Sequence, residues 1–294
     1  MTQKPSTSNA ESRFPFTAIV GQERMKRALL LNAVNPKIGG VLVRGKKGTA
    51  KSTAVRSLAA LLPEVTVVQG CPYNCSPEER QGLCTRCEPG LYENHTAVRQ
   101  IPIVDLPVGA TEDRLVGSLD IEEAIKTGNR VFEPGLIAST HRGILYIDEV
   151  NLLNDHLVDI LLDAAAMGRN YVEREGISVT HRSEFILVGT MNPEEGDLRP
   201  QLLDRFGLAV EVDGRFTSEE RQEVVKRRIA YETDPQAFMV SWQKSEQEER
   251  DRVLRSQGLL SQVTVSDGIL ELITSICAEY DVDGMRGDLS LIHI

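Results

Sequence analysis

No apolar run in this chain approaches the roughly 20 consecutive residues that a membrane-spanning helix needs, so the sequence offers no transmembrane segment. The opening residues, MTQKPSTSNAESR, have no basic start followed by an apolar stretch. They do not read as a secretion signal, and 1–13 is expected to be a disordered lead-in to a cytoplasmic protein. Basic residues are outnumbered, 33 Lys and Arg against 43 Asp and Glu, and the formal net charge is −10. That balance argues against nucleic-acid binding through a broad basic face. A local patch at Lys46 and Lys47 is still available, and those two lysines read equally well as solvated surface charges. Only 5 cysteines are present, and without an export signal they point away from a disulfide scaffold. Neither an internal repeat nor a low-complexity tract is visible. What remains is a chain of 294 residues, 41% hydrophobic and 26% charged. That suffices for one large domain and part of a second.

From Phe14 to about Val212, short β-branched runs alternate with helical patterns, which predicts a parallel sheet covered by helices. The predicted strands are Val41 to Arg44, Val65 to Val68, Gly143 to Ile147, Glu184 to Val188 and Leu208 to Val212. Gln22 to Asn35, Lys51 to Leu62 and Asp155 to Met167 carry apolar residues three and four apart and read as helices. Between Tyr171 and Val188 the pattern alternates around Glu175-Gly176, predicting a hairpin that leads into a core strand. Beyond Gly214 the chain becomes rich in Glu, Arg and Gln, with helices expected over Ser218 to Ala230, Pro235 to Ser256 and Ser266 to Glu279. Ser218 is the expected cap of the first of these. The organisation read from this is a core domain over 14–213, then a helical linker and the start of a lid over 214–288. The last six residues, 289–294, resemble a translated sequencing-adaptor end and read as a non-native tail, or else as a genuine short apolar terminus.

Chemistry concentrates in four segments. Val41-Leu42-Val43-Arg44 runs into Gly45-Lys46-Lys47-Gly48-Thr49-Ala50-Lys51-Ser52-Thr53 and then a helix, a phosphate loop in the strand–loop–helix setting that lets backbone N–H groups cradle phosphates. Lys51 is expected to bridge the β- and γ-phosphates of ATP, and Ser52 to hold Mg²⁺. Ala50 stands where the common pattern has glycine. Its β-carbon costs little at negative φ and about 1–2 kcal/mol in a left-handed conformation. Further on, Gly143-Ile144-Leu145-Tyr146-Ile147-Asp148-Glu149 is an apolar strand ending in two carboxylates. Asp148 can order the Mg²⁺ shell and Glu149 can polarise the attacking water. Asn192, after the strand Phe185-Ile186-Leu187-Val188, fits a polar sensor of the γ-phosphate. Arg205, in Arg199-Pro200-Gln201-Leu202-Leu203-Asp204-Arg205-Phe206, is read as a finger reaching the γ-phosphate of a neighbouring subunit. Arg199 is its reserve, and a simple surface ion pair is the plainer reading.

Cys71, Cys75, Cys84 and Cys87 follow the spacing C-x₃-C-x₈-C-x₂-C in a loop over 71–87. Four thiolates so spaced could close a structural Zn²⁺ site or hold an iron–sulfur cluster. The C-x-x-C at Cys84 and Cys87 also fits redox pairing, and unliganded thiols complete the alternatives.

Taken together these segments resemble AAA+ ATPases, and within them the ATPase subunit of magnesium chelatase and the related cobaltochelatases. The match is carried by Phe14-Pro15-Phe16, Ile19-Val20-Gly21-Gln22, Pro107 to Asp120, Phe132 to Leu136, Asp148 to Leu153, Val172 to Gly176 and Gly189 to Leu208, which span nearly the whole chain. The resemblance implies a three-layer α/β ATPase domain with a parallel sheet, followed by a truncated all-helical lid. It implies a hexameric ring of this chain, a larger partner subunit with an integrin-like metal-binding domain, and a third subunit that holds the porphyrin. ATP hydrolysis would then drive insertion of Mg²⁺ or Co²⁺ into a tetrapyrrole. By the same resemblance Gly21 and Gln22 lie on the adenine side and Arg286 is the second sensor of the lid. A chaperone-like remodeller of another protein complex shares the motor and is the alternative; a nucleic-acid translocase is the third reading, and the acidic balance disfavours it.

Overall fold

Five short parallel strands carry the centre of the protein, in the order Leu208–Glu211, Val41–Arg44, Ile186–Met191, Ile144–Ile147 and Ile103–Leu106. The structure, a computed structural model, describes residues 13–78, 96–128, 130–174, 176–282 and 285–294. Side chains alternate across a strand, and here the alternation builds two cores. Val41, Val43, Ile144, Tyr146, Ile186 and Val188 face one side, where the helices Glu23–Val34 and Lys51–Leu61 cover them. Leu42, Leu145, Ile147, Leu187 and Met191 face the other, under the helix Asp155–Met167. That helix buries Leu157, Val158, Leu161 and Leu162, one stripe at helical spacing. Each fully buried side chain of this size contributes roughly 1.5–3 kcal/mol over leaving it exposed.

One expected strand is misplaced by the sequence pattern. Val65–Val68 lies outside the parallel sheet and pairs antiparallel with Thr96–Arg99. The fifth position goes to Ile103–Leu106, bounded by Pro102 and Pro107 and interrupted by Asp105. An edge strand accommodates that charge because one side is open to solvent, and Asp105 pairs there with Arg56 at 3.1 Å.

The hairpin consists of Arg169–Arg174 and Ile177–Arg182, with the core strand beginning only at Ile186. After the sheet, the helix Ser218–Thr233 is capped by Thr217 rather than by Ser218. The Thr217 hydroxyl accepts from Glu220 N at 3.2 Å and the Glu220 carboxylate accepts from Thr217 N at 2.8 Å, a reciprocal box that satisfies two terminal donors. The long helix Pro235–Leu260 docks on the ATPase layers: Val253 joins the core, and Arg250 donates to the carbonyls of Leu61 and Ala60 at 2.7 and 2.9 Å. The final helix, Arg286–His293, rests on the loop around Pro36–Ile38. Ser290 donates to Gly207 O at 2.8 Å, and Asn35 donates to His293 O at 2.9 Å.

Candidate functional site

The phosphate loop begins where two strands crowd the chain. Gly45 N donates to Met191 O at 3.0 Å, and a β-carbon at Gly45 would stand 2.7 Å from Val212 O. Only glycine passes that gap. Thr49 then turns inward and donates to Lys46 O at 2.9 Å. Ala50 has φ 61° and ψ 21°, left-handed, so the costlier branch for its β-carbon is the one realised. Lys51 opens the helix and donates to the carbonyls of Gly45 and Lys46, the latter at 2.9 Å. Burial chiefly lowers its pKa from the ordinary lysine value, against the opposing charges of Asp148 and Glu149.

Across a cleft of about 420 Å³, Lys47, Gly48 and Ala50 to Thr53 face Tyr146, Asp148, Glu149, Thr190 and Asn192. Asp148 is held by two donors on one oxygen: Tyr146 OH reaches Oδ1 at 2.9 Å and Thr190 Oγ1 at 2.6 Å. Burial first, and the carboxylate of Asp148 in addition, raise the phenol of Tyr146 well above its ordinary value, so it remains a donor. Asp148 and Ser52 line the same cleft, and carboxylate and hydroxyl oxygens are the donors that suit a hard divalent cation.

Glu149 has φ 56° and ψ 56°, and its N–H donates to Thr190 Oγ1 at 3.3 Å. Its carboxylate meets Lys47 Nζ at 3.2 Å, and Lys47 also meets Glu195 at 2.6 Å. The two loop lysines are exposed surface charges held in ion pairs rather than a basic patch, and Lys46 pairs with Glu194 at 2.8 Å. Hydrogen bonding to these carboxylates raises both lysines, and Lys47 in turn lowers Glu195. Asn192 is buried at 6% exposure, and its Oδ1 accepts from Glu194 N at 3.3 Å.

A second recess of about 190 Å³ adjoins the loop through Gly48, Thr49, Ala50 and Thr53. Its other walls include Phe14, Ile19, Gln22, Phe216 and Arg227. Aromatic packing of Phe14 on Tyr231 and Phe238, with ring centroids 5.3 Å apart in each case, fixes this wall, and Arg227 lies over the Trp242 ring at 4.6 Å. Gly21 stands just behind it, its missing β-carbon 3.7 Å from the Phe216 ring. A largely apolar recess beside a phosphate loop suits a nucleobase.

Six non-glycine residues among those described have positive φ, and three of them, Gln22, Ala50 and Glu149, line these two recesses. Strained backbone of this kind concentrates at functional sites. Sequence reasoning missed Tyr146, Thr190 and Glu195 as parts of the site. The register that sets Gly189 beside Ile147, and so Thr190 beside Asp148, belongs to two strands forty residues apart, and no single-strand pattern contains it.

The remaining candidates lie elsewhere. Arg205 is on the far side of the sheet from the phosphate loop's helix, in ion pairs with Asp159 at 2.7 Å and Asp163 at 3.1 Å, and Arg199 pairs with Asp155 at 2.7 Å. Cys71 and Cys75 pack with Val68, Tyr73 and Ala138. Cys84, Cys87 and the side chain of Arg286 lie outside what is described. Among the described residues no three His, Cys, Asp or Glu side chains gather as a metal site, so Zn²⁺ or an iron–sulfur cluster at the cysteine loop draws no support. No single helix among them is long and apolar enough to cross a membrane.

Residues 118–198 match the family model described as magnesium chelatase, subunit ChlI. A magnesium-chelatase subunit ChlI homolog from Methanocaldococcus jannaschii is 54% identical over 282 residues, which cover 95% of this chain and 77% of the relative. The magnesium-chelatase 38 kDa subunit of Acidiphilium rubrum is 53% identical over 282 residues, covering 95% and 82%. Among solved structures, a cryo-EM-based complex between subunits BchI and BchD of magnesium chelatase contains a chain 47% identical, with TM-score 0.64, covering 96% of this chain and 93% of that one. A crystal structure of an ATPase from Cytophaga hutchinsonii shares the fold alone, at 17% identity and TM-score 0.58, covering 95% and 75%. With the phosphate loop, the strand-end carboxylates and this similarity along almost its whole length, the chain belongs to the family of AAA+ ATPase subunits of magnesium chelatase.

Proposed function

We propose that this chain is the ATP-hydrolysing motor subunit of a magnesium chelatase, acting at the boundary between copies of itself and passing the conformational work to a larger partner subunit. One observation carries the reading. The phosphate loop, Asp148, Glu149 and Asn192 converge on a single cleft, yet no arginine is among the described residues lining that cleft. Among the described residues, then, this cleft contains no guanidinium of the kind that neutralises transition-state charge in phosphoryl transfer.

In this reading the N–H groups of Lys46, Lys47, Gly48 and Thr49, with the start of the helix at Lys51, hold the phosphates of ATP. The Lys51 ammonium leaves its loop carbonyls for the β- and γ-phosphates. Ser52 and Asp148 hold the Mg²⁺ that accompanies the nucleotide and that offsets phosphate charge when bound. Glu149 orients the attacking water, Asn192 reads the γ-phosphate, and Gln22 and Gly21 border the base. Arg205 serves the neighbouring copy, and Arg286 closes over the nucleotide from the lid. A ring of six copies and a porphyrin-holding third subunit follow from the family resemblance. The BchI–BchD complex among the similar structures supports a larger partner.

The test is ATPase rate of the full subunit as wild type, Glu149→Gln and Arg205→Ala, each alone and mixed. Loss of activity in each variant and partial recovery on mixing is the expected result. Full activity of isolated Arg205→Ala would overturn the shared site. Metal insertion into a porphyrin, measured by absorbance with the partner subunits present, should follow the ATPase rate across the same series.

A further inference from the structure

Arg205 is anchored by its neighbours in the chain and aimed by its partners across it. Leu202 and Phe206, on either side, are buried at 3% and 7% exposure, which fixes the backbone from which the side chain departs. The helix Asp155–Met167 carries Asp155, Asp159 and Asp163 four residues apart, hence in one stripe. Both ion pairs of Arg205, to Asp159 Oδ1 at 2.7 Å and to Asp163 Oδ1 at 3.1 Å, go through the same nitrogen, Nη1. A guanidinium offers its donors in a planar fork, and carboxylates usually take two of its nitrogens at once. Among the described residues the hydrogen bond of this guanidinium runs from Nη1 to Asp163, and the side chain is 30% exposed, which leaves the Nε/Nη2 edge for a further acceptor.

We infer that Asp159 and Asp163 are positioning residues for Arg205: they clamp Nη1 and leave the Nε/Nη2 edge presented outward, toward the nucleotide of an adjacent copy. The inference rests on the shared-boundary reading above. The two carboxylates do two things at once. They fix the plane of the fork, and they leave a bidentate edge for a terminal phosphate. Arg199 on Asp155, at 2.7 Å, extends the same stripe.

The mixing experiment separates positioning from mere structure. In a mixture of Glu149→Gln and Arg205→Ala subunits, the working sites pair the Glu149 of the second chain with the Arg205 of the first. Asp159→Asn and Asp163→Asn are placed together in the Glu149→Gln chain in one arm and in the Arg205→Ala chain in the other. In the first arm they act on the only functioning finger, and the recovered activity should fall by roughly tenfold, inside the hundredfold that about 1 Å of misplacement can cost. The second arm should leave the recovery unchanged, and ATP binding should be the same in both. An equal fall in both arms, or no fall in either, overturns the positioning role. Absence of any recovery in the unmodified mixture overturns the shared boundary itself, and this inference with it. Single Asp163→Asn, run in the same two arms, gives the answer if the double variant proves poorly folded.

Discussion

Replacing Ala50 by glycine tests whether backbone strain in the phosphate loop is held permanently or only when nucleotide binds. Ala50 sits at φ 61° and ψ 21° with its β-carbon on the wall of the cleft. The left-handed conformation costs a β-carbon about 1–2 kcal/mol, and glycine removes that cost. Glycine also gives up roughly 0.5–1 kcal/mol through the greater freedom of its unfolded chain. The net expectation is a gain of about 0.5–1 kcal/mol, or roughly 1–4 °C in Tm for a domain of this size. Strain that belongs to the fold itself leaves ATP binding changed by less than about twofold. Thermal unfolding of Ala50→Gly and wild type, each with and without ATP, and titration calorimetry for the binding constant give both quantities. If the strain were instead imposed on binding, the substitution would lower Tm through glycine's own cost of about 0.5–1 kcal/mol and tighten ATP by roughly 5- to 30-fold. That pattern refutes the argument.

Three further expectations follow from particular contacts. His141 is fully buried, its Nδ1 accepting from Glu184 N at 3.1 Å, and burial first, then the charges of Arg142 and Arg182, lower its pKa from 6.5 to about 4. Below pH 6.5 the unfolded chain takes up a proton that the folded chain refuses, so stability should fall from pH 6.5 to about 4, by roughly 3 kcal/mol in all. Urea unfolding at several pH values should show that slope, and His141→Asn should flatten it; an unchanged slope assigns the effect elsewhere. At Gly207 a β-carbon would lie 1.7 Å from Ile38 O, so Gly207→Ala should cost more than about 2 kcal/mol, and a Tm within 2 °C of wild type would contradict the packing. Tyr146→Phe removes one of the two donors on Asp148 Oδ1. At about 1.5 kcal/mol for a hydrogen bond to a charged group, the Mg²⁺ concentration for half-maximal ATPase should rise about tenfold, with nucleotide binding measured without Mg²⁺ unaffected.

Much of the site is readable residue by residue because its parts are local. A strand, a glycine-bearing loop, Lys51 and a helix are contiguous, and each element follows from short-range propensity and hydrophobic period. The Ile144–Ile147 strand announces itself in the same way, and Asp148 and Glu149 stand directly at its end. The misreadings are equally instructive. Val65–Val68 has the composition of a core strand but only Val67 and Val68 are buried, because composition reports β preference and not which sheet a strand joins. Ile103–Leu106 escaped notice because Asp105 breaks its apolar pattern, which an edge position tolerates. Ser218 yielded the cap to Thr217 because the reciprocal bond with Glu220 needs the spacing of three that only Thr217 has.

By itself, then, the amino-acid sequence determined four of the five core strands and the helices that cover them, the phosphate loop with its lysine and hydroxyl, the carboxylate pair and the family. All of these are encoded in contiguous stretches. Tertiary structure alone decided that Ala50 is left-handed, that Thr190 and Tyr146 share one oxygen of Asp148, that Lys47 bridges Glu149 and Glu195, and that Arg205 lies clamped on Asp159 and Asp163. Each of these depends on register between strands or on the docking of a helix, and so on packing between segments far apart in the chain, which no local pattern records.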